Sequence, residues 1–67
     1  MDIMVNNEEK ILILKPGQRI RNKREKITYE IKYVNDMAVA LLTEDGTKLL
    51  LVPPDSITPD EYEPVYN

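Results

Sequence analysis

The chain of 67 residues contains no cysteine, no histidine and no tryptophan, and each absence excludes a class of site. Without cysteine there can be no disulfide bond and no thiolate metal ligand. Without histidine, the residue that most often performs acid–base catalysis at neutral pH is missing. Nucleophilic catalysis often uses cysteine, or serine beside a base, and neither arrangement is visible in the sequence. The composition therefore predicts a protein that is not an enzyme and has no catalytic residues.

Glycine is scarce as well, because Gly17 and Gly46 are the only two and they lie far apart. A phosphate-binding loop needs several glycines close together, so this type of site is not expected. The acidic residues near the C-terminus are Asp55, Asp60, Glu61 and Glu63. They lack the spacing of an EF-hand and are interpreted as a solvated segment rather than a metal site. We therefore expect neither a cofactor nor a bound metal.

No apolar run approaches the roughly 20 residues that a membrane-spanning helix needs. Residues 1–7 also lack the basic start and the long apolar stretch of a signal peptide. The sequence thus predicts a cytoplasmic protein without a membrane partner. A domain of this size buries only about 60% of the surface that its unfolded chain exposes, so its stability is marginal. Small domains without disulfides or metals often gain stability by oligomerising, and a homodimer is expected on this ground.

Residues 27–52 predict three antiparallel strands joined by two tight turns. In the first strand, 27–34, one face would carry Ile27, Tyr29, Ile31 and Tyr33, and the other Thr28, Glu30 and Lys32. This period of two, with β-branched and aromatic side chains on the inner face, is typical of a half-buried strand. Asn35–Asp36 predicts the first turn, because both residues tolerate a positive φ. Asp45–Gly46 is a strong hairpin signal for the second.

The second and third predicted strands, 37–43 and 48–52, are apolar on both faces. Pro53–Pro54 ends the third strand, since proline cannot donate to a sheet ladder. One face of these strands should form the core, and the other should be covered by another part of the chain or by another chain. A helix is the alternative structure for this run, because alanine, leucine and methionine are good helix formers.

The remaining segments complete a small β-domain. Glu9–Leu14 predicts a first strand, Lys15–Gly17 a turn, and 18–26 a long loop or irregular strand anchored by Ile20. Pro54–Ile57 predicts one helical or 3₁₀ turn capped by Asp55 or Ser56. Residues 1–7 predict either a frayed start or an added edge strand. The predicted organisation is a flexible N-terminus over 1–8, a small β-barrel over 9–57, and an acidic C-terminal strand or tail over 58–67.

This order of elements resembles the SH3-like small barrels, the group that includes SH3, Tudor and KOW-type domains. The resemblance covers residues 9–66 and rests on the motifs KPG, YEI, EDG and LVPPDSI at suitable spacings. Small bacterial and phage proteins are similar in the same way. The fold class that the resemblance implies is all-β, a small five-stranded SH3-like barrel. An OB-like partial barrel, which also needs about five strands, is the alternative architecture.

The binding motifs of the better-known members do not carry over to this chain. A peptide-binding SH3 domain has an acidic, aromatic-rich long loop and a tryptophan in its groove, whereas the loop here is basic and tryptophan is absent. A Tudor-type cage needs several clustered aromatic residues. The aromatic residues of this chain are Tyr29, Tyr33, Tyr62 and Tyr66. Tyr29 and Tyr33 are therefore interpreted either as core residues or as half-exposed contact residues, since tyrosine is common at interface anchors.

Charge is separated along the chain, although the net charge is −3. The basic residues of the loop 15–26 are Lys15, Arg19, Arg21, Lys23, Arg24 and Lys26. Such a loop on a small barrel predicts a phosphate contact surface. Alternatively, it is a solvated loop that pairs with the acidic segment of the same chain or of a neighbour. The acidic net charge and the absence of aromatic residues within 15–26 weigh against nucleic acid.

The sequence therefore predicts a non-enzymatic binding module that acts on a protein partner. The candidate binding residues are the six basic residues of the loop together with Tyr29 and Tyr33. The alternative function is a nucleic-acid-binding barrel that uses the basic loop 15–26. Small size and separated charges also suit an accessory or inhibitor protein of a mobile element, which is a fold-level association rather than a derivation.

Overall fold

The computed structural model describes the backbone of residues 3–7 and 10–66 and the side chains of residues 12–66. The strands are β1 Ile3–Asn7, β2 Lys10–Leu14, β3 Arg19–Asn22, β4 Thr28–Val34, β5 Val39–Thr43, β6 Leu49–Val52 and β7 Tyr62–Val65. A single 3₁₀ turn, Pro54–Ser56, precedes β7. The predicted all-β class is confirmed. Expectations for residues 1, 2, 8, 9 and 67 lie outside the described residues.

Five antiparallel strands form one sheet in the order β6-β5-β4-β3-β7, and the sheet is not closed. β1 and β2 form a separate two-stranded antiparallel sheet. The predicted strand in 9–14 therefore exists as β2, but it pairs with β1 and not with the five-stranded sheet. At the N-terminus, residues 3–7 form the added strand that was one of the two expectations for this segment.

The core lies against one face of the five-stranded sheet, which we call the inner face. Its buried residues are Leu12, Leu14, Ile20, Tyr29, Ile31, Val34, Val39, Leu41 and Ile57. Leu12 and Leu14 come from β2, so the two-stranded sheet covers part of this inner face. Burying these apolar side chains is the main force that holds so small a fold together.

The segment between β2 and β4 contains a strand, where a long loop or an irregular strand was predicted. Arg19–Asn22 is a regular strand in which burial alternates, with Ile20 fully buried and Asn22 8% exposed. The sequence does alternate here with a period of two. Its outward residues are arginines and its inward ones are Ile20 and a polar asparagine, so the segment lacks the apolar pattern that usually indicates a strand. Asn22 closes the following turn, because its Oδ1 accepts a hydrogen bond from the Glu25 N–H at 2.8 Å.

A β-bulge in β4 corrects the predicted strand faces. Ile31 pairs with Leu41 and Tyr33 pairs with Ala40, so β4 advances two residues while β5 advances one. An extra residue in one strand reverses the side-chain alternation that follows it. Tyr29 and Ile31, which precede the bulge, point inward as predicted, whereas Tyr33 after it is 55% exposed and Val34 takes the inward position.

Two of the predicted turns adopt the expected geometry, with glycine at a positive φ. Gly17 has φ +89° in the turn that Lys15 closes by accepting a hydrogen bond from the Gln18 N–H at 3.1 Å. Gly46 has φ +77°, and its N–H donates to the Thr43 carbonyl at 2.8 Å. Both turns are therefore confirmed.

The turn between β4 and β5 lies one residue later than predicted. The Asn35 N–H donates to the Ala38 carbonyl at 3.0 Å, which places Asp36 and Met37 at its centre. The Asn35 side chain stabilises the turn, since its Oδ1 accepts the N–H groups of Met37 and Ala38 at 2.8 and 2.7 Å. Among the described non-glycine residues only Lys26 has a positive φ, so the predicted positive φ at Asn35 and Asp36 is wrong.

The 3₁₀ turn and the last strand lie close to their predicted positions. Neither Asp55 nor Ser56 caps the turn as predicted, because Pro53 is the N-cap and no side chain bonds to the cap. The Ser56 Oγ instead donates to the Pro53 carbonyl at 2.6 Å. Tyr62–Val65 then pairs with β3, so the C-terminal segment contains a strand within the sheet.

Candidate functional site

The solvent side of the five-stranded sheet, which we call the outer face, carries the main features of the surface. Val39 and Leu41 of β5 are fully buried on the inner face, so Ala40 and Leu42 point to the outer face. The sheet register extends this face to the neighbouring strands, because residues directly opposite share a side. The face divides into a half with charged side chains and a half with apolar ones.

The apolar half consists of Tyr33, Ala40, Leu42, Leu49 and Leu51. Ala40 lies between its register partners Tyr33 and Leu51 and is only 6% exposed. Leu49 and Leu51 of β6 are 59% and 70% exposed, although they are large apolar side chains. Contiguous apolar groups in water mark interaction sites more often than isolated ones do.

The charged half consists of Arg19, Arg21, Glu30 and Glu63, on β3, β4 and β7. Arg19 Nη2 lies 3.2 Å from Glu44 Oε2, and Arg21 Nη1 lies 3.8 Å from Glu63 Oε2. Glu30 is 3.2 Å from the Lys32 Nζ. Partly exposed pairs such as these contribute only about 0–1 kcal/mol each. Their main consequence is that the arginines already face carboxylates of the same chain.

Lys23 is also engaged within the chain. Its Nζ donates to the Pro59 carbonyl at 2.9 Å, and its N–H donates to the Glu61 carbonyl at 2.7 Å. Lys15, Arg24 and Lys26 are exposed. Lys15 precedes β3 and the other two follow it, so the three exposed cations lie beyond opposite ends of a strand. The six basic residues are thus spread along β3 and beyond both of its ends, and three of them, Arg19, Arg21 and Lys23, are already bonded within the chain.

The two candidate tyrosines have different surroundings. Tyr29 is 5% exposed and belongs to the core, and burial is the largest cause that raises the pKa of its hydroxyl, followed by the charges of Glu25 and Tyr62. Tyr33 lies in the apolar half, and its hydroxyl accepts a hydrogen bond from the Asn35 Nδ2 at 3.1 Å. Of the two, only Tyr33 is positioned to contact a partner.

The hairpin between β5 and β6 holds one strongly perturbed carboxylate. Asp45 Oδ1 accepts the N–H of Thr47 at 3.0 Å and the hydroxyls of Thr43 and Thr47, each at 2.7 Å. These donors stabilise the charged form and lower the pKa of Asp45 to about 2. The carboxylate is occupied by the turn, which gives it a structural role.

The surface also carries two shallow grooves. One, of about 190 Å³, is lined by Leu12, Ile13, Lys15, Gln18, Pro64 and Tyr66. It is smaller than the roughly 300–1,000 Å³ of most small-molecule sites. The other, of about 390 Å³, is lined by Ile27, Thr28, Thr43, Glu44, Asp45, Thr47 and Lys48. Its carboxylates are those already bound to Arg19 and to the threonines.

Among the described residues, no group of acidic side chains is arranged to hold a metal ion. In the same part of the chain, no helix is long and apolar enough to cross a membrane. No family model matches the sequence, and neither a curated protein nor a solved structure gives a match. The chain is thus defined by its own geometry: a small all-β domain whose outer face is half apolar.

Proposed function

We propose that the chain is a non-enzymatic protein-binding module that contacts its partner through the apolar half of the outer face. The observation that carries the proposal is the exposure of Tyr33, Leu49 and Leu51 on one side of a sheet whose other side already forms the core. A sheet face with this composition gains free energy when another apolar surface covers it. The partner that fits is a protein with an apolar patch.

The charges of the module favour a protein over nucleic acid. Arg19 and Arg21 face carboxylates, and Lys23 is bonded to backbone carbonyls. A nucleic acid would have to replace these contacts before the phosphates could bind, while the net charge of −3 would repel it. The exposed cations of the loop, Lys15, Arg24 and Lys26, are too few to supply the many phosphate contacts of a typical binding surface.

The resemblance to SH3-like barrels is part of the proposal. It is supported by the meander β4-β5-β6, by the 3₁₀ turn after β6, and by the return of β7 to the sheet beside β3. These small barrels are commonly binding modules, so the resemblance agrees with a non-enzymatic role. An accessory or inhibitor role in a mobile element is a hypothesis within this proposal.

A comparison of two surface variants tests the proposal. Tyr33→Ser with Leu42→Ser removes apolar area from the outer face, and neither substitution lies in the edge strand β6. Arg24→Ser with Lys26→Ser is the matched control, because it alters two exposed residues that the proposal does not use. Each variant is first checked for an unchanged circular dichroism spectrum, and is then used as bait in nuclease-treated lysate beside the parent chain.

The expected result is a protein that the parent chain and the control retain and that the apolar-half variant loses. Retention by all three baits would overturn the assignment of the surface. Nucleic acid is tested directly by titrating duplex DNA at low salt, where no binding is expected. Tight binding would instead establish the nucleic-acid alternative, provided that the logarithm of the binding constant falls with the logarithm of the salt concentration. The expected slope is about −0.9 for each phosphate contacted on duplex DNA.

A further inference from the structure

β6 ends the sheet, and its second backbone edge has no strand beside it among the described strands. The direction of its backbone groups follows from the hairpin, in which the Thr43 N–H donates to the Lys48 carbonyl at 2.9 Å. Hydrogen-bonded and non-bonded pairs alternate along an antiparallel ladder. Leu50 and Val52 therefore point their N–H and C=O groups to β5, and Leu49 and Leu51 point theirs away from the sheet.

This open edge is only four residues long, and within Leu49–Val52 it lacks the other features that protect natural edge strands against pairing. Natural edge strands are kept apart by lysines, prolines, bulges or a covering segment. Leu49–Val52 has no charge and no proline, and its register with β5 runs without a shift. Leu49 and Leu51 are also the two most exposed leucines of the strand, so both their backbone groups and their side chains are available.

Charges at the two ends of β6 indicate what pairs with it. Lys48 precedes the strand and Asp55 follows it, and within residues 12–66 neither side chain takes part in an ion pair. The other acids near the start of the strand are occupied, Glu44 by Arg19 and Asp45 by the threonines. An antiparallel second copy would place the start of β6, which Lys48 precedes, beside the end of β6 in the other chain, which Asp55 follows by three residues.

We infer that β6 pairs with β6 of a second copy, antiparallel and about a two-fold axis perpendicular to the sheet. Such an axis keeps the inner faces of both sheets on the same side, and it requires one residue to lie opposite itself. It joins two sheets edge to edge and places the exposed leucines of both copies in one continuous outer stripe. The pairing uses the sheet edge and goes beyond the proposed function.

Pro53 selects the register. If Leu50 lies on the axis, Leu49 stands opposite Leu51 of the second copy, and all of their outward N–H and C=O groups find partners. If Leu51 lies on the axis, Leu49 stands opposite Pro53 of the second copy. Proline has no N–H, so that register loses hydrogen bonds. The pairing therefore centres on Leu50.

The contact is small, which determines its strength. One edge strand from each copy covers well below the roughly 1,200 Å² of a standard stable interface. The dimer should therefore form at high micromolar concentration and dissociate on dilution. This weak association is the property that the experiments must detect.

Cysteine cross-linking tests the register, because the chain has no cysteine of its own. Side chains directly opposite have Cβ atoms about 4.5–5.5 Å apart, and Leu50 opposite itself forms a non-hydrogen-bonded pair, which lies at the short end of this range. Diagonal neighbours lie about 7–8 Å apart. Disulfide bonds need Cβ atoms about 3.5–4.5 Å apart. Leu50→Cys is expected to form a covalent dimer under mild oxidation, and Leu51→Cys, the control, to remain monomeric. Faster cross-linking of Leu51→Cys, or none of either variant, would overturn the inference.

Charge reversal tests, without an added cysteine, whether the strand that pairs with β6 belongs to a second copy of the chain. Lys48→Asp and Asp55→Lys, each alone, should raise the dissociation constant about tenfold in sedimentation equilibrium, because the attraction between opposite charges at both ends of the paired strands becomes a repulsion. The double variant should restore the parent value. A parent chain that stays monomeric at millimolar concentration, or single reversals without effect, would contradict the pairing. Loss of partner capture by the Tyr33→Ser and Leu42→Ser variant with an intact dimer would concern the proposed function alone.

Discussion

On the outer face of the sheet, β3 and β7 carry arginines and glutamates, whereas β5 and β6 carry leucines. The charged side is complete within one chain, since Arg19 faces Glu44 and Arg21 faces Glu63. The apolar side has no such partner, and Leu51 leaves 70% of its surface in water. Both halves belong to one sheet above one core. Covering the apolar half with another surface would lower the free energy, whereas the charged half already has its partners within the chain.

This difference teaches which feature of a small domain indicates a partner. A cluster of basic residues attracts attention in a sequence, but here its members are divided between ion pairs, backbone contacts and opposite strand ends. Leucines attract little attention, because they are expected in a core. Their position on the solvent side is what distinguishes them.

The largest expected effect separates the two sides of β5 and β6. Leu41→Ala removes a fully buried side chain and should reduce the free energy of unfolding by about 2–5 kcal/mol. Leu51→Ala removes the same atoms from a mostly exposed side chain and should change stability by less than about 0.5 kcal/mol. Urea denaturation of both variants measures the difference. Similar losses would mean that the apolar half is part of the core.

Gly46→Val addresses the hairpin that holds β6 at the apolar end of the sheet. Valine at φ +77° is strained, and the expected loss is about 1–3 kcal/mol. A Cβ at this position would meet no atom within 4 Å, so the backbone alone causes the effect. Gly46→Asn should cost less, because asparagine tolerates this conformation. A valine variant that melts like the parent would contradict the geometry of the turn.

A smaller effect is expected in the charged half. In a double-mutant cycle with Arg19→Ala and Glu44→Ala, the coupling energy should be about 0.2–1 kcal/mol, as for other exposed pairs. The cycle is needed because Arg19 makes a further interaction, whose loss must be subtracted. Unfolding in 0.5–1 M salt should reduce the coupling to near zero, at a Debye length of about 3–4 Å. A coupling that is unchanged by salt would show that the pair is not solvated.

The last prediction concerns Asp45, whose contribution to stability is present at neutral pH and is lost in acid. Its pKa falls from the ordinary 3.8 to about 2 in the fold, so the folded state prefers the charged form. The stability from this group is complete above the unfolded pKa and is lost as the pH falls through about 4 to 2. Thermal melting of Asp45→Asn beside the parent should show a smaller acid dependence for the variant. Parallel curves would mean that the threonine contacts do not form.

Much of the sheet could be predicted because its signals are local. The alternation at the start of β4, Gly17 and Gly46 in their turns, and the prolines after β6 each act through backbone geometry within a few residues. β3 was predicted only as part of a long loop or an irregular strand, since its single large aliphatic, Ile20, stands between arginines. The position of the final segment could be predicted, but not whether it forms a strand or a tail. Its pairing with β3 requires contacts some forty positions apart in the chain.

The candidate surface was harder to predict for a similar reason. The sequence shows that 37–43 and 48–52 are apolar on both faces, so one of the two faces has apolar side chains that the core does not bury. It cannot show which face the core takes. One bulge in β4 moved Tyr33 from the expected inner face to the outer one, and no local pattern signals that extra residue.

The amino-acid sequence by itself determined the all-β class, the two glycine turns, and the lack of histidine and cysteine chemistry. These properties depend on residue type and on interactions between near neighbours. The tertiary structure alone decided that Arg19 and Arg21 meet Glu44 and Glu63, and that β6 ends the sheet with its leucines in water. Such outcomes depend on which distant strands become neighbours, since the same side chain is neutralised beside a carboxylate and exposed at an open edge.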